Sequence, residues 1–177
     1  EGLTELGKQT DDLSQYTLTY LTYGDTSTAR QAQEFIQQSI EGNLGVKVEM
    51  NVLSGWEQYG AEVQGDSWDI SLNGWSPDYN EPMTFFDIWI TGGSSNYQGY
   101  SSEAYDKLIA DAVKTTDPQE RLEIYKQCEE MLAEDTVFTP IYFRDIYAFY
   151  NKNFRGYQLC SVGYDWDYKY AYLVEDE

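Results

Sequence analysis

The sequence contains no histidine. That single absence removes the Ser-His-Asp and Cys-His catalytic arrangements, the HExxH pattern and every zinc site built on imidazole. Cysteine is almost as scarce: Cys128 and Cys160 are the only two, and they lack CxxC spacing. Neither a metal pair nor a redox motif is signalled. Cys128 falls on the buried side of a helical pattern, and two buried free thiols are expected rather than a disulfide. Basic residues are few as well, 11 Lys and Arg against 31 Asp and Glu, for a net charge of −20. Such a chain is repelled by phosphate backbones and by anionic bilayer surfaces, which argues against nucleic acid as a partner. No run approaches the roughly 20 apolar residues that a membrane-spanning helix needs. No stretch reads as a signal peptide or lipid-attachment motif. The opening Glu1-Gly2-Leu3 reads as the inside of a longer protein, which leaves native targeting open.

What the chain does contain is a globular composition with a surplus of rings. Its 177 residues suit one domain spanning 1–177, with a core of real size, and 41% hydrophobic content argues against disorder. Seventeen tyrosines and five tryptophans exceed what a core needs, and a ligand-contacting surface is one use for the excess. The acidic surface favours either cationic ligands or plain solubility.

Taken in order, residues 1–15 are polar and read as a flexible tail. Residues 16–23 have high β propensity and read as a strand. Thr28 followed by Gln31 marks a helix start, and Ala29, Ala32, Phe35, Ile36 and Ile40 recur at helical spacing until Gly42 and Gly45. Val46, Val48, Met50 and Val52 alternate as a second strand. A shorter helix with Trp56, Tyr59 and Val63 on one face leads to a third strand over 68–73. Strand, helix, strand, helix, strand is an α/β unit with parallel neighbours. The Gly- and Ser-rich run 91–99 lacks GxGxxG and a P-loop lysine, so a mobile connection is expected. Two helices follow, over 102–115 and from Asp117 to about Glu134, the second opened by Asp117-Pro118 with Glu120 three after the cap. Strands are expected over 137–143 and 146–150, about a turn at Arg144-Asp145, and again over 168–174. Pro140 limits the first of these to an edge or entry position.

The chain is organised around residues 66–90. Here a short strand ends at Gly74, Ser76-Pro77-Asp78 forms a turn, and Pro82 opens a helix expected over 83–90. Trp75, Tyr79 and several carboxylates crowd a loop at the carboxyl end of a strand, where open α/β sheets usually hold ligands. Trp75 and Tyr79 read equally well as core aromatics under a tight loop. Asp78 between two large rings tips the balance, because a charge there is costly unless a cation pairs with it.

The run from Trp68 to Pro82, with Trp75, Asp78-Tyr79 and Pro82 placed after a strand, resembles a segment of the oligopeptide-binding proteins of ABC importers. The following pair, Tyr105-Asp106-Lys107-Leu108-Ile109 and Thr116-Asp117-Pro118-Gln119-Glu120-Arg121, resembles that family's next two helices. The resemblance covers nearly the whole chain but only a minority of a full-length member. It implies an α/β fold, a lobe of the type II periplasmic-binding-protein kind with a mixed sheet flanked by helices, here the C-terminal lobe. It further implies an oligopeptide ligand, an ABC permease as partner, a missing N-terminal lobe, an extracytoplasmic location (periplasmic or lipoprotein) and no cofactor. Asp78 matches the aspartate that receives the ligand's α-amino group, and Trp75 the tryptophan that walls the site. Tyr79 and Asn73 complete the candidate set, with Asn80 and Glu81 expected to support the loop. Some members carry a basic residue just before the tryptophan to reach the ligand's carboxylate. Ser71-Leu72-Asn73-Gly74 offers none, so either the carboxylate is captured from elsewhere or ligand length is not read that way, which leaves the length class open.

An enzyme is not expected. Asp78 with Glu81, or Glu129 with Glu130, could be taken for a glycosidase pair, but an acidic chain produces such pairs by chance. Asp165-Trp166-Asp167 hints at a calcium loop, yet Tyr170 stands where an EF-hand has Gly, and Asp176 where it has Glu. Alternatives to peptide binding are an oligosaccharide or nickel-chelate ligand within the same family, or the sensing domain of a transcriptional regulator.

Overall fold

Alternating apolar residues shape Thr17–Tyr23 and Lys47–Leu53 into β1 and β2, which pair in parallel from Thr17 opposite Lys47 to Tyr23 opposite Leu53. A third strand, β3 (Ile70–Ser71), lies on the other side of β1, also parallel, giving the order β2-β1-β3. This computed structural model describes residues 13–175 other than 144, 146, 161, 164 and 165. The chain divides into two compact units, Glu1–Gly74 and Trp75–Glu177. Most of the expected tail lies outside the described residues, while Leu13 packs against the core of the first unit.

In the first unit β3 is shorter than the 68–73 expected. Asp69 is the cause. Its Oδ2 accepts the Thr19 N–H at 2.7 Å, so a side chain takes the donor that a longer strand would have met with backbone. Helix α1 (Ser27–Leu44) is capped two residues earlier than expected, by Thr26, whose Oγ1 accepts the Ala29 N–H at 3.2 Å. It ends at Gly45, whose φ of 72° is the left-handed conformation glycine adopts freely. Ala29, Ala32, Ile36 and Ile40 lie on its partly buried side as expected, but two positions between them differ. Phe35 is 70% exposed, whereas Gln33 is buried and its Nε2 donates to Thr22 Oγ1, Tyr23 O and Gly24 O. The polar residue wins the inward position because it satisfies acceptors at the end of β1. Ile36, Ile40, Met50 and Ile70 close over Tyr20, Val46 and Val48, and Tyr59 and Val63 of the α2 region (Trp56–Glu62 and the residue after it) are fully buried. Burial of this kind contributes about 1.5–3 kcal/mol per large side chain.

The second unit is built on α3 (Glu103–Lys114) and α4 (Pro118–Glu134), both close to their expected bounds. Ser102 Oγ accepts the Tyr105 N–H, and Asp117 Oδ1 accepts the N–H groups of Gln119 at 2.8 Å and Glu120 at 3.1 Å. Trp89, Tyr105, Ile109, Cys128 and Leu132 form the core. The helix expected over 83–90 is instead two 3₁₀ turns, Pro82–Phe85 and Asp87–Trp89. The tighter winding lets Trp89 enter this core while Thr84, also buried, turns its hydroxyl back to the loop before it. The run 91–99 is cross-linked rather than a bare connection, because buried Asn96 donates to Ile90 O at 3.0 Å and Tyr100 O at 2.7 Å and accepts from the Tyr100 N–H.

The strands expected over 137–143 and 146–150 are not formed among the described residues. Arg144 and Ile146, on which the expected turn rested, lie outside them. β propensity is a preference for packing on a pleated neighbour, and no described ladder pairs with this segment: Phe143 is 100% and Phe149 97% exposed. Two short antiparallel ladders follow, β4 (Phe154–Arg155) with β7 (Tyr172–Leu173) and β5 (Gln158–Leu159) with β6 (Trp166–Asp167). The last strand is thus confined to 172–173 of the 168–174 expected.

Both cysteines are free, but only Cys128 is buried, and Cys160 is exposed. Burial pushes the Cys128 thiol up to about 11. Because the folded value lies above the unfolded one, the thiol leaves stability unaffected below about pH 9 and subtracts from it as pH rises towards 11. Iodoacetamide at pH 8 is expected to alkylate Cys160 at once and Cys128 only on unfolding, as peptide mapping will show. Equal labelling of both thiols in the folded chain would contradict this placement.

Candidate functional site

The loop from Trp75 to Glu81 opens the second unit and is fixed from several directions. The Asp78 N–H donates to Thr84 Oγ1 at 3.1 Å, and the Glu81 N–H to Tyr79 O at 2.9 Å. Pro77 O accepts the Gly163 N–H at 3.1 Å. Gly163 has a φ of +79°, a left-handed conformation that favours glycine. Glu81 caps the first 3₁₀ turn, its Oε2 accepting the Met83 N–H at 2.7 Å. Its Oε1 accepts the Tyr125 hydroxyl at 2.7 Å and lies 3.4 Å from Arg121 Nε.

This bonding separates the carboxylates of the loop by role. Both oxygens of Glu81 are engaged, and Asp87 Oδ2 accepts the Tyr79 hydroxyl at 3.2 Å. Asp78 is different. It is exposed, and its carboxylate meets no hydrogen-bond donor or cation among the described residues. The expected costly burial between rings is therefore absent. Trp75 (38% exposed) and Tyr79 (43%) are not core aromatics either but present ring surface to solvent. Desolvation, then the charge and hydrogen bond of Asp87, raise the Tyr79 hydroxyl above its usual range. Desolvation, followed by the bond to Glu81, raises Tyr125.

Of the four residues singled out in the sequence, Trp75, Asp78 and Tyr79 share this loop. Asn73 closes the first unit and is exposed, its Oδ1 accepting the Gly74 N–H at 2.8 Å. Sequence reasoning assigned Trp56 to a core stripe, yet it is 52% exposed. With Tyr23 (5.7 Å between ring centroids) and buried Tyr59 (5.6 Å) it forms an aromatic group at the carboxyl end of β1. The available signal was its position: a tryptophan opening a helix directly after a parallel strand faces the end of the sheet where ligands are held.

The first unit also contains an open cavity of about 410 Å³ bounded by Asp25, Arg30, Glu34, Met50 and Val52. None of the loop residues lines it. Among the described residues no group of three His, Cys, Asp or Glu side chains is placed to hold a metal ion, and no helix is long and apolar enough to cross a membrane.

Residues 1–97 match the family model described as bacterial extracellular solute-binding proteins, family 5 middle. A dipeptide-binding protein of Lactococcus lactis is 32% identical over 177 aligned residues, covering 98% of this chain and 31% of that protein. The structure of Listeria monocytogenes OppA bound to peptide superposes with a TM-score of 0.79 at 30% identity, over 98% of this chain and 32% of that one. The substrate-binding domain of an oligopeptide ABC transporter from Bacillus anthracis gives a TM-score of 0.77, also at 30% identity, over 98% of this chain and 33% of that one. The chain thus spans about a third of the length of these relatives.

Proposed function

Because the chain belongs to the bacterial extracellular solute-binding proteins of family 5, we propose that it forms one lobe of an oligopeptide-binding protein, with Asp78 receiving the ligand's N-terminal ammonium. One observation carries this reading. Asp78 is the loop carboxylate left without a partner among the described residues, while Glu81 and Asp87 are occupied internally. An exposed anion on a loop whose backbone is held by Thr84 and Gly163 is preorganised for a small cation, and preorganisation lowers the ordering cost of binding. Trp75 and Tyr79, on the same loop, supply exposed ring surface. Rings of this kind contact varied side chains without demanding one sequence.

A peptide held by its main chain and its terminus, with adaptable side-chain contacts, fits these elements. The relatives' names point the same way: a dipeptide-binding protein and a peptide-bound OppA. In the full-length protein the lobe would work with an N-terminal lobe and deliver peptide to an ABC permease from the extracytoplasmic side, as a binder and not a catalyst. The exposed Phe143, Tyr147 and Phe149, which no described strand pairs, support the reading of a lobe that has more protein against it.

Equilibrium dialysis of the full-length protein against mixed tri- to hexapeptides and, separately, mixed oligosaccharides tests the ligand class. Retention of peptides, read by mass spectrometry, is the expected result. Retention of sugars alone would move the account to another solute.

A further inference from the structure

We propose that Glu81 is the positioning residue of the ligand anchor: its carboxylate ties the Asp78 loop to α4 through Tyr125 and Arg121, and selectivity for a free N-terminal ammonium depends on that tie. The inference rests on the reading of Asp78 given above and adds a residue that does not itself meet the ligand.

The tie is a continuous set of bonds within the second unit. Tyr125 is buried and stacks on Phe86, with ring centroids 5.2 Å apart and planes 5° from parallel, so its hydroxyl has a fixed position. It donates to Glu81 Oε1 at 2.7 Å. The same residue's Oε2 takes the Met83 N–H, and its carbonyl oxygen takes the Thr84 N–H at 3.3 Å. Thr84 Oγ1 in turn accepts the Asp78 N–H at 3.1 Å. A displacement of Glu81 therefore shifts the hydroxyl on which the Asp78 backbone hangs.

Charge gives a second reason. A free carboxylate three residues from Asp78 would offer the ligand's ammonium a competing site and blur its register. Arg121 Nε, 3.4 Å from Oε1, and the Tyr125 hydroxyl occupy that oxygen instead. The arrangement needs an anion. Glutamine at this position can accept from Tyr125 with its one carbonyl oxygen, but its NH₂ then faces the Met83 N–H, donor against donor.

The test uses the full-length protein. Calorimetry gives the ratio of affinities for one tripeptide with a free or an N-acetylated terminus, in the wild type, Glu81→Gln, Tyr125→Phe, Asp78→Asn and the double variants. Amide hydrogen exchange at Asp78 and Met83 is followed without ligand. Glu81→Gln is expected to speed both amides and to lower the ratio about tenfold, with Tyr125→Phe lowering it about threefold. Adding Tyr125→Phe to Glu81→Gln is expected to change little further, since both act on one contact. In the Asp78→Asn background Glu81→Gln is expected to leave the ratio unchanged. If Asp78→Asn lowers the ratio but Glu81→Gln does not, Glu81 is merely structural and the proposal is overturned. Unaltered amide exchange in Glu81→Gln overturns it as well. If Asp78→Asn leaves the ratio untouched, the anchor reading itself falls and takes this inference with it.

Discussion

Replacing Asp78 with alanine is expected to weaken the full-length protein's affinity for free-terminus peptides by roughly 10- to 100-fold, the equivalent of about 1.5–3 kcal/mol for a charge-assisted hydrogen bond. Titration calorimetry will measure it. The size follows from the geometry. The Asp78 carboxylate makes no internal bond among the described residues, so nothing folded is lost with it, and the whole effect falls on the ligand. Thermal stability should therefore stay within about 0.5 kcal/mol of the wild type, as for a surface substitution away from structural features. N-acetylated peptides, which have no ammonium to offer, should bind both forms alike. An equal loss for free and acetylated peptides would mean that Asp78 shapes the loop rather than meeting the terminus.

The second large effect lies in the core. Trp89→Ala is expected to destabilise the second unit by about 3–5 kcal/mol, within the range for truncating a buried aromatic residue. Trp89 is 9% exposed and stacks on Phe138, with centroids 5.1 Å apart and planes 6° from parallel. Its Nε1–H donates to Phe85 O at 3.1 Å, an acceptor that loses its partner on truncation. The cavity would open among Tyr105, Ile109, Cys128 and Leu132, beneath the 3₁₀ turns that carry Thr84 and hence the Asp78 backbone. Urea denaturation should show a lower midpoint with a nearly unchanged slope. A loss below about 1 kcal/mol would mean that the site collapses more readily than these contacts imply.

The parts of the fold legible in the sequence are those whose signals are local. Asp117-Pro118 with Glu120 opened α4 where expected, because the cap, the fixed φ of proline and the apolar stripe all agree. The β propensity of β1 and the alternation in β2 were enough for a parallel α/β unit, which needs no more than buried strand faces and a crossover helix. What stayed hidden depends on partners distant in sequence. Gln33 turned inward and Phe35 outward because the acceptors that reward a glutamine, at Thr22, Tyr23 and Gly24, are invisible to periodicity. The segment holding Phe143 and Phe149 has the composition of a strand but no described strand to pair with. Pro82 signals a helix over 83–90, yet the demands of Trp89 inward and Thr84 towards Asp78 are met by tighter turns.

In the loop the residue types were readable and their environment was not. Trp75, Asp78 and Tyr79 were singled out by a resemblance and by crowding. That Asp78 meets no partner among the described residues while Glu81 is bound by Tyr125 and Arg121 of α4, some 40 residues downstream, follows only from the folded chain.

The most direct measurement is a crystal structure of the full-length protein with a free-terminus tripeptide bound. The account predicts an Asp78 carboxylate oxygen about 2.7–2.9 Å from the ligand's terminal nitrogen, as in other N⁺–H···O⁻ pairs, with Glu81 still on Tyr125. A terminal nitrogen held by another group, with Asp78 facing solvent, would contradict it.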